Sequence, residues 1–400
     1  MDERLIFHVD VNSAFLSWEA AKRVRLGLDD LRLIPSAVGG DPNSRRSIIS
    51  AKSIPAKRYN IQTGEPVSLA LRKCPELVVV APDFNLYHEC SQAFIAICKE
   101  YAPVLEQFSI DECFLDMTGT SLIYPDPVST AAEIKDRIKE ELGFTVNIGI
   151  GSNKLLAKMA SDFEKPDKVH TLFKKDIPSK MWPLPVGDLF LCGKSSAAKL
   201  RALQINTIGD LAHQDIAYLK SILGDKGGTL LYCHANGIDD SVVSDQYEDA
   251  KSYGMSTTLE ENVTSYDNAY QIILMLSDHV SRRMRKDNVR AHCIAVTVRD
   301  TEFKNKSHRR HLDESTDISG EIYKIACELC REIWDGRTPL RLINVTLSDV
   351  SGEDEPVQLS LFVDKAKEKS RKMDRAADAI RDRFGSSSLK RGSDLITEKK

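Results

Sequence analysis

The apolar positions along the chain follow two different spacings, and these predict strands that alternate with helices. Residues 5–12, Leu-Ile-Phe-His-Val-Asp-Val-Asn, form an apolar run typical of a buried strand, and a helix through Trp18 follows it. Short apolar runs at 77–80 and 146–150 predict two further strands. Apolar and polar residues alternate over 108–117, which indicates a hairpin.

Longer stretches with helical spacing separate these strands. In the first half of the chain they cover 85–101 and 127–142, and in the second half 266–286 and 319–334. The first half therefore has the order β-α-β-β-α-β of a ferredoxin-like sheet, interrupted by the mixed, basic segment 30–75. We predict an α/β (α+β) fold.

Three carboxylates stand where these strands end or turn. Asp10 closes the first strand, and Asp111 and Glu112 are adjacent within the predicted hairpin. Acidic side chains beside a hydrophobic core are unfavourable unless a cation neutralises them. Carboxylates at strand ends are a common means of holding divalent metal ions for phosphoryl chemistry. These acids predict a metal-dependent site.

A further helix, which Ser152 is predicted to cap, carries two lysines on one face. Lys154 and Lys158 are four residues apart and therefore neighbours on the helix surface. Together with the helix N-terminus they could bind an anion, although surface lysines at this spacing are common and usually have no such role.

Composition narrows the class of protein. The chain is 42% hydrophobic with a net charge of −4, and no run of apolar residues is long enough to cross a membrane. Nine cysteines without regular spacing favour reduced thiols, and with no signal-type N-terminal run we expect a cytoplasmic protein.

Residues 282–311 contain ten Lys and Arg against three acids, a net charge of +7. That stretch predicts a surface that follows nucleic-acid phosphates, unless it is simply a solvated basic face.

The segments Phe108-Ser-Ile-Asp-Glu-Cys-Phe-Leu-Asp116 and Gly149-Ile-Gly-Ser-Asn-Lys-Leu-Leu-Ala-Lys-Met-Ala-Ser-Asp162, followed by Lys165-Pro166, are more specific than these patterns. With Asp10 upstream, the chain resembles the Y-family translesion DNA polymerases of the DNA polymerase IV type. The resemblance implies a right-hand polymerase with low-fidelity, template-directed synthesis. Its domains would be a ferredoxin-like palm (1–18 and 76–172), small fingers (19–75), a helical thumb (173–240), a linker (241–252), an α/β little finger (253–350) and a flexible tail with a clamp-binding motif (351–400).

The resemblance also implies roles for individual residues. The metal ligands would be Asp10, Asp111, Glu112 and the main-chain carbonyl of Val11, holding two Mg²⁺ ions or, alternatively, Mn²⁺. The substrate residues would be Phe15, as the aromatic ring beneath the sugar, with Lys57 and Lys158 near the triphosphate.

Three positions in the predicted palm and fingers depart from the family pattern. Ile54 and Lys57 replace a tyrosine and an arginine often found there, so a hydroxyl and a bidentate guanidinium are missing. Asn12 replaces a second acid two residues after Asp10, and because that side chain is not a family metal ligand we expect activity to survive.

The expected partners are primer–template DNA, dNTPs and a replication sliding clamp, with the chain acting as a monomer. Gly193, in a helix-hairpin-helix-like turn whose other usual glycine is Leu191, and Arg309 and Arg310 would contact DNA phosphates. Gln358-Leu359-Ser360-Leu361-Phe362 looks like a clamp-docking pentapeptide, in which Gln358, Leu359, Leu361 and Phe362 make the contacts.

Two other interpretations remain open from the sequence. A catalytically silent, DNA-binding member of the same family would act as a polymerase accessory, but it would not need all three acids. A ferredoxin-like nucleotidyl cyclase would share the sheet and the carboxylates, but it leaves the thumb-like, basic and clamp-docking segments unexplained.

Overall fold

The computed structural model describes residues 4–246, 249–352, 365–385 and 388–389. The chain divides into two compact units between residues 247 and 248. The predicted clamp-docking residues, 358–362, lie outside the described residues. In the part of the chain that is described, no helix is long and apolar enough to cross a membrane.

A five-stranded sheet in the order β5-β6-β1-β7-β8 forms the centre of the first unit. Neighbouring strands are antiparallel except β7 and β8, which run parallel. The strands are β1 (Ile6–Val11), β5 (Val104–Gln107), β6 (Glu112–Asp116), β7 (Val146–Gly151) and β8 (Val169–Leu172). The order of β1, β5, β6 and β7 is that of the predicted ferredoxin-like sheet.

Helices cover this sheet because its strands are apolar on both faces. Every residue of β7 is buried, as are five of the six residues of β1. Phe7, Val9 and Val11 join a core to which Trp18 and Phe94 contribute from the helices. The helices of this part are α1 (Ala14–Arg25), α4 (Phe84–Lys99), α5 (Pro127–Leu142) and α6 (Lys154–Ser161).

A small sheet of three strands is inserted after α1. It has the order β3-β2-β4 and its own core around Ile49, Ile61 and Val67. Because β4 pairs with β2, it belongs to the inserted sheet, whereas the sequence assigned residues 76–80 to the palm. The elements are β2 (Ser36–Gly39), β3 (Ile49–Lys52), α2 (Ile54–Lys57), α3 (Val67–Lys73) and β4 (Val78–Val80).

Short helices follow β8 and share a core with α6. Leu155 and Met159 of α6 pack with Leu200, Leu211 and Leu231 of this region. Its α-helices are α7 (Lys194–Ala202), α8 (Ile208–Ala212), α9 (Ile216–Leu223) and α10 (Asp225–Ala235).

The second unit contains a four-stranded antiparallel sheet in the order β11-β10-β12-β9. Two helices pack on one face of it, against Ile294 and Val296 of β10 and Val345 of β12. The opposite face carries small and polar residues such as Thr297 and Asn344. The elements are β9 (Ser252–Val263), α11 (Tyr266–Lys286), β10 (Val289–Asp300), β11 (Asn305–Thr316), α12 (Ser319–Ile333) and β12 (Leu340–Gly352).

A last helix, α13 (Lys365–Phe384), docks on this unit through charged side chains rather than apolar ones. Asp378 accepts a hydrogen bond from Arg285 of α11 at 2.7 Å, and Arg381 lies 2.9 Å from Asp278. The carboxylate of Asp374 accepts from the backbone N–H of Ser319 at 2.8 Å, at the start of α12. Residues 365–384 of the predicted tail are therefore a helix that is held against the second unit by ion pairs and hydrogen bonds.

Candidate active site

The three predicted acids meet at one end of the central sheet. Asp10 and Glu112 are directly opposite each other in the ladder between β1 and β6. The backbone N–H of Val11 donates to the carbonyl of Asp111 at 2.9 Å, so the residue before β6 lies beside the end of β1. Antiparallel pairing thus joins positions a hundred residues apart in the chain.

Glu112 is held by two neighbours from β1 and α6. The Lys158 ammonium donates to its Oε2 at 2.6 Å, and Nε2 of His8 lies 3.0 Å from the same oxygen. Burial alone would raise the pKa of Glu112, but these two side chains outweigh it and lower the pKa to about 2. Burial lowers the pKa of His8.

His8 is fully buried and belongs to the support of the site. Its Nδ1 lies 2.8 Å from the hydroxyl of Ser161, which donates to the carbonyl of Lys158 at 2.8 Å. The Nε2 atom lacks a well-aligned hydrogen-bond partner among the described residues, despite its proximity to Glu112. No local sequence pattern marks His8 as a site residue, although strand alternation places it on the same side of the sheet as Asp10.

Two lysines surround Asp10. Lys165 binds its Oδ2, and Lys158 lies 4.0 Å from its Oδ1. Lys165 also lies 2.8 Å from Asp162 at the end of α6. In the sequence, Lys165 stands out only as part of the Lys165-Pro166 motif. The fold places its ammonium beside the carboxylate of Asp10.

Asp111 differs from its two partners because no cation of the described residues lies within ion-pair distance of it. The hydroxyl of Ser109 donates to its carboxylate at 2.6 Å. Burial raises the pKa of Asp111, and the charges of Asp10 and Glu112 add to the rise. The pairing of Asp10 with Glu112 and the bond between Val11 and Asp111 place the three residues at the same end of the sheet.

The donor set suits a hard divalent cation, since carboxylate and carbonyl oxygens are the ligands that Mg²⁺ prefers. Among the described residues, however, no group of three or more His, Cys, Asp or Glu side chains is already arranged as a metal site. The carboxylates of Asp10 and Glu112 are instead turned toward Lys165 and Lys158. The oxygen donors fit such an ion by their chemistry, and in this structure lysine ammonium groups engage one oxygen of Asp10 and one of Glu112.

Helix α6 positions Lys158 through its cap. Asn153, rather than the predicted Ser152, is the N-cap residue, and its side chain accepts from the N–H of Leu156 at 2.8 Å. Lys154 does not face the acids, because it binds Glu106 at 2.7 Å. The two lysines therefore share a helix face but serve different carboxylates.

The ring of Phe15 projects from the first turn of α1 and is half-buried. It stacks on Tyr87 with ring centroids 4.6 Å apart and also contacts Trp18. In the inserted sheet region, Ser53 caps α2, which places Ile54 at its start and Lys57 at its end. Among the described residues we find no partner for the Lys57 ammonium.

The predicted DNA contacts have different surroundings. Gly193 is the N-cap of α7, and Leu191 before it has a φ of 66°, so a leucine adopts the left-handed conformation that usually favours glycine. In the second unit, Arg310 binds Glu328 at 2.5 Å and Glu332 at 2.7 Å. Arg309 pairs with Ala295 in the ladder, on the sheet face away from the helices.

Three comparisons with known proteins bear on this site. Residues 9–162 match the model of the impB/mucB/samB family, residues 250–361 match its C-terminal domain, and residues 188–239 match the thumb domain of DNA polymerase iota. The chain is 42% identical to a DNA polymerase IV of Clostridium acetobutylicum over 99% of this chain and 100% of that protein. The DNA polymerase IV of Clostridium kluyveri is 38% identical, with 99% of each chain covered. The chain belongs to the impB/mucB/samB family.

A solved Y-family DNA polymerase chimera has the same fold, with a TM-score of 0.76 over 87% of this chain, 99% of the chimera and 21% identity. The predicted family, the fold class and the function, a DNA-directed DNA polymerase of translesion synthesis, are therefore confirmed. Membership implies dependence on a divalent metal ion.

Proposed function

We propose that this polymerase uses Mg²⁺ held by Asp10, Asp111, Glu112 and the carbonyl of Val11. The observation that supports this most strongly is the pairing of Asp10 with Glu112 in the β1–β6 ladder, with Asp111 beside them. Bound there, two ions would activate the primer 3′-hydroxyl and neutralise the charge on the triphosphate and its leaving pyrophosphate.

Lys158 and Lys165 have a double task in this proposal. Without metal they neutralise Glu112 and Asp10, which keeps two half-buried carboxylates compatible with the fold. When these carboxylates bind a metal ion, the two ammonium groups become available to the oxygens of a triphosphate. We assign no general base, since His8 is buried and directed at Glu112 and Ser161.

Phe15 is proposed to select deoxyribose by occupying the space of a 2′-hydroxyl. Its stacking on Tyr87 keeps the ring in a single place. Phe15→Ala should raise ribonucleotide incorporation and retain polymerisation, and unchanged sugar discrimination would remove the assignment. Lys57, at the end of α2, is proposed to contribute to triphosphate binding.

Primer–template DNA and dNTPs are the substrates that the family implies. We propose that Gly193 offers its backbone at the start of α7, and that Arg309 and Arg310 belong to a basic surface of the second unit. Such contacts hold DNA without reading its sequence.

A replication sliding clamp is the proposed protein partner, with Gln358, Leu359, Leu361 and Phe362 as the docking residues. We further propose that the polymerase is a cytoplasmic monomer. Deleting 358–362 should reduce synthesis in the presence of a clamp and spare distributive synthesis without one. An equal loss in both assays would contradict the docking role.

The decisive experiment is primer extension with defined templates, dNTPs and a titration of Mg²⁺. We expect Asp10→Asn and Glu112→Gln each to abolish extension by the folded protein, because each removes a negatively charged ligand. DNA binding by gel shift should persist in both variants. Normal extension by either variant would refute the metal site, and a wild-type chain that binds DNA without extending it would support the silent accessory instead.

A further inference from the structure

Asn12, which stands where the family often has a second acid, makes contacts that an acid could not make. It follows β1 and is 8% exposed. Its Nδ2 donates to Oδ1 of Asn147 at 3.1 Å. Its Oδ1 accepts from the hydroxyl of Thr145 at 3.0 Å and from the backbone N–H of Asp167 at 2.9 Å.

Asn147 extends this contact to the segment that carries Lys165. It is fully buried in β7, opposite Asp10 in the ladder. Its Nδ2 donates to the carbonyls of Ser161 at 3.1 Å and Glu164 at 2.7 Å. Its Oδ1 also accepts from the N–H of Lys168 at 3.3 Å.

The two amides therefore hold the backbone on both sides of one lysine. Asn147 binds the carbonyl of Glu164, one residue before Lys165, and Asn12 binds the N–H of Asp167, two residues after it. Lys165 in turn binds Asp10. Because polar groups buried at this depth need their partners, the pair restricts the segment to one arrangement.

We infer that Asn12 and Asn147 are positioning residues that present the Lys165 ammonium to the catalytic acids and to the incoming nucleotide. The inference rests on the proposed role of Asp10 in metal binding. It also gives the departure at position 12 a physical reason, since an amide can both accept from Asp167 and donate to Asn147, whereas a carboxylate can only accept.

An acid at position 12 should therefore be harmful in this chain. In Asn12→Asp a carboxylate oxygen would face Oδ1 of Asn147 with no proton between them. Turning the amide of Asn147 over would remove that repulsion, but it would also take the donor away from Ser161 and Glu164. The substitution conserves shape, so it tests the hydrogen bond and not the packing.

The first test uses the chain alone, without metal or DNA. Amide hydrogen exchange of Asp167 and Lys168 should be at least tenfold faster in Asn12→Asp and in Asn147→Ala than in the wild type. Thr118, whose N–H is bound by Asp116 at the far end of β6, is the internal reference. Unchanged exchange at 167 and 168 would overturn the inference whatever the metal site does.

The second test measures dNTP binding to a complex with dideoxy-terminated primer, which permits binding but no chemistry. We expect Asn12→Asp to weaken dNTP binding by about ten- to a hundredfold, the usual effect of losing a supporting contact. In single-turnover extension the effect should lie in the half-saturating dNTP concentration more than in the maximal rate.

A double-mutant cycle with Lys165→Ala separates positioning from general damage. If Asn12 acts through Lys165, Asn12→Asp should have almost no further effect on dNTP binding when Lys165 is already alanine. Independent, additive losses would overturn the inference. Asn147→Ala supplies a second cycle with the same two readings if Asn12→Asp does not fold.

Discussion

Two clusters of charged side chains, one in each unit, show how differently the chain pairs its acidic side chains. In the second unit, the carboxylates between α13 and the rest of the unit each have a basic group within 4 Å. These pairs are Asp278–Arg381, Asp317–Arg371, Asp374–Arg285, Asp378–Arg285, Asp382–Arg282, Glu314–Lys367 and Glu321–Lys367. In the first unit, Asp10 and Glu112 have such partners among the described residues and Asp111 has none.

The charges around α13 stabilise the structure, whereas the unpaired carboxyl group of Asp111 is suited to bind a ligand. The ion pairs around α13 explain how a polar helix docks on this unit. Asp111 is half-buried beside two like charges, and this partial burial together with the two charges raises its pKa and disfavours its ionised form. Such a group contributes little to the stability of the folded chain, so we expect Asp111 to have a role in function.

The largest effect should follow from Asp111→Asn. Losing this proposed ligand removes several kcal/mol of transition-state stabilisation, so primer extension should fall by roughly a thousandfold. Thermal unfolding without metal should occur at the same temperature or higher, because an unpaired buried charge has gone. Asp116→Asn, at the other end of β6, is the matched control and should keep extension within about twofold. Lost activity with an equally lowered melting temperature would mean that Asp111 is structural.

The second effect concerns Arg285, whose side chain is 4% exposed and bound to Asp378 and Asp374. Arg285→Met should lower the unfolding free energy of the second unit by about 3–5 kcal/mol, since Asp374 and Asp378 both lose their contact with this buried guanidinium. Arg282→Met should cost below about 1 kcal/mol, because its nearer partner Asp382 is 70% exposed and its contact with Asp378 is long, at 3.9 Å. Urea unfolding measures both, and equal losses would show that α13 does not depend on the buried pairs.

Much of the fold could be predicted from periodicity because its elements bury apolar faces. The predicted helices 127–142 and 266–286 have those bounds in the structure, as α5 and α11. The docking of α13 could not be predicted in this way, since the face it buries carries Arg371, Asp374 and Asp378. Charged contacts between distant segments leave no periodic trace.

The acidic residues of the candidate site could be predicted from the sequence, but the residues that contact those acids could not. Asp10, Asp111 and Glu112 follow from apolar runs that end in acids, and pairing of β1 with β6 brings them together. His8 and Lys165 take their roles from contacts across the fold, which no local pattern encodes.

A third effect distinguishes two neighbouring arginines of the basic surface. Arg310 is bound to Glu328 and Glu332, whereas we find no partner for the Arg309 side chain among the described residues. If Arg309 contacts a phosphate, Arg309→Gln should reduce the slope of log K against log salt by about 0.9, the value for one phosphate contact. Arg310→Gln should change the slope by less. Fluorescence anisotropy with labelled primer–template measures both, and no change in either variant would place the DNA on another surface.

The smallest effect is a pH dependence of opposite sign at two adjacent acids. Burial raises the pKa of Asp111, so the folded chain holds that proton more tightly and stability falls as pH rises through the folded pKa. The pKa of Glu112 is lowered from 4.5 to about 2, so its contribution is present above about 4.5 and is lost as pH falls toward 2. In metal-free buffer, the free energy of unfolding of Asp111→Asn should therefore increase relative to that of the wild type as pH rises above about 4. The free energy of unfolding of Glu112→Gln should decrease relative to that of the wild type as pH rises from about 2 to 5. Curves parallel to the wild type in both variants would mean that the two carboxyl groups share one environment, contrary to the contrast in their pairing.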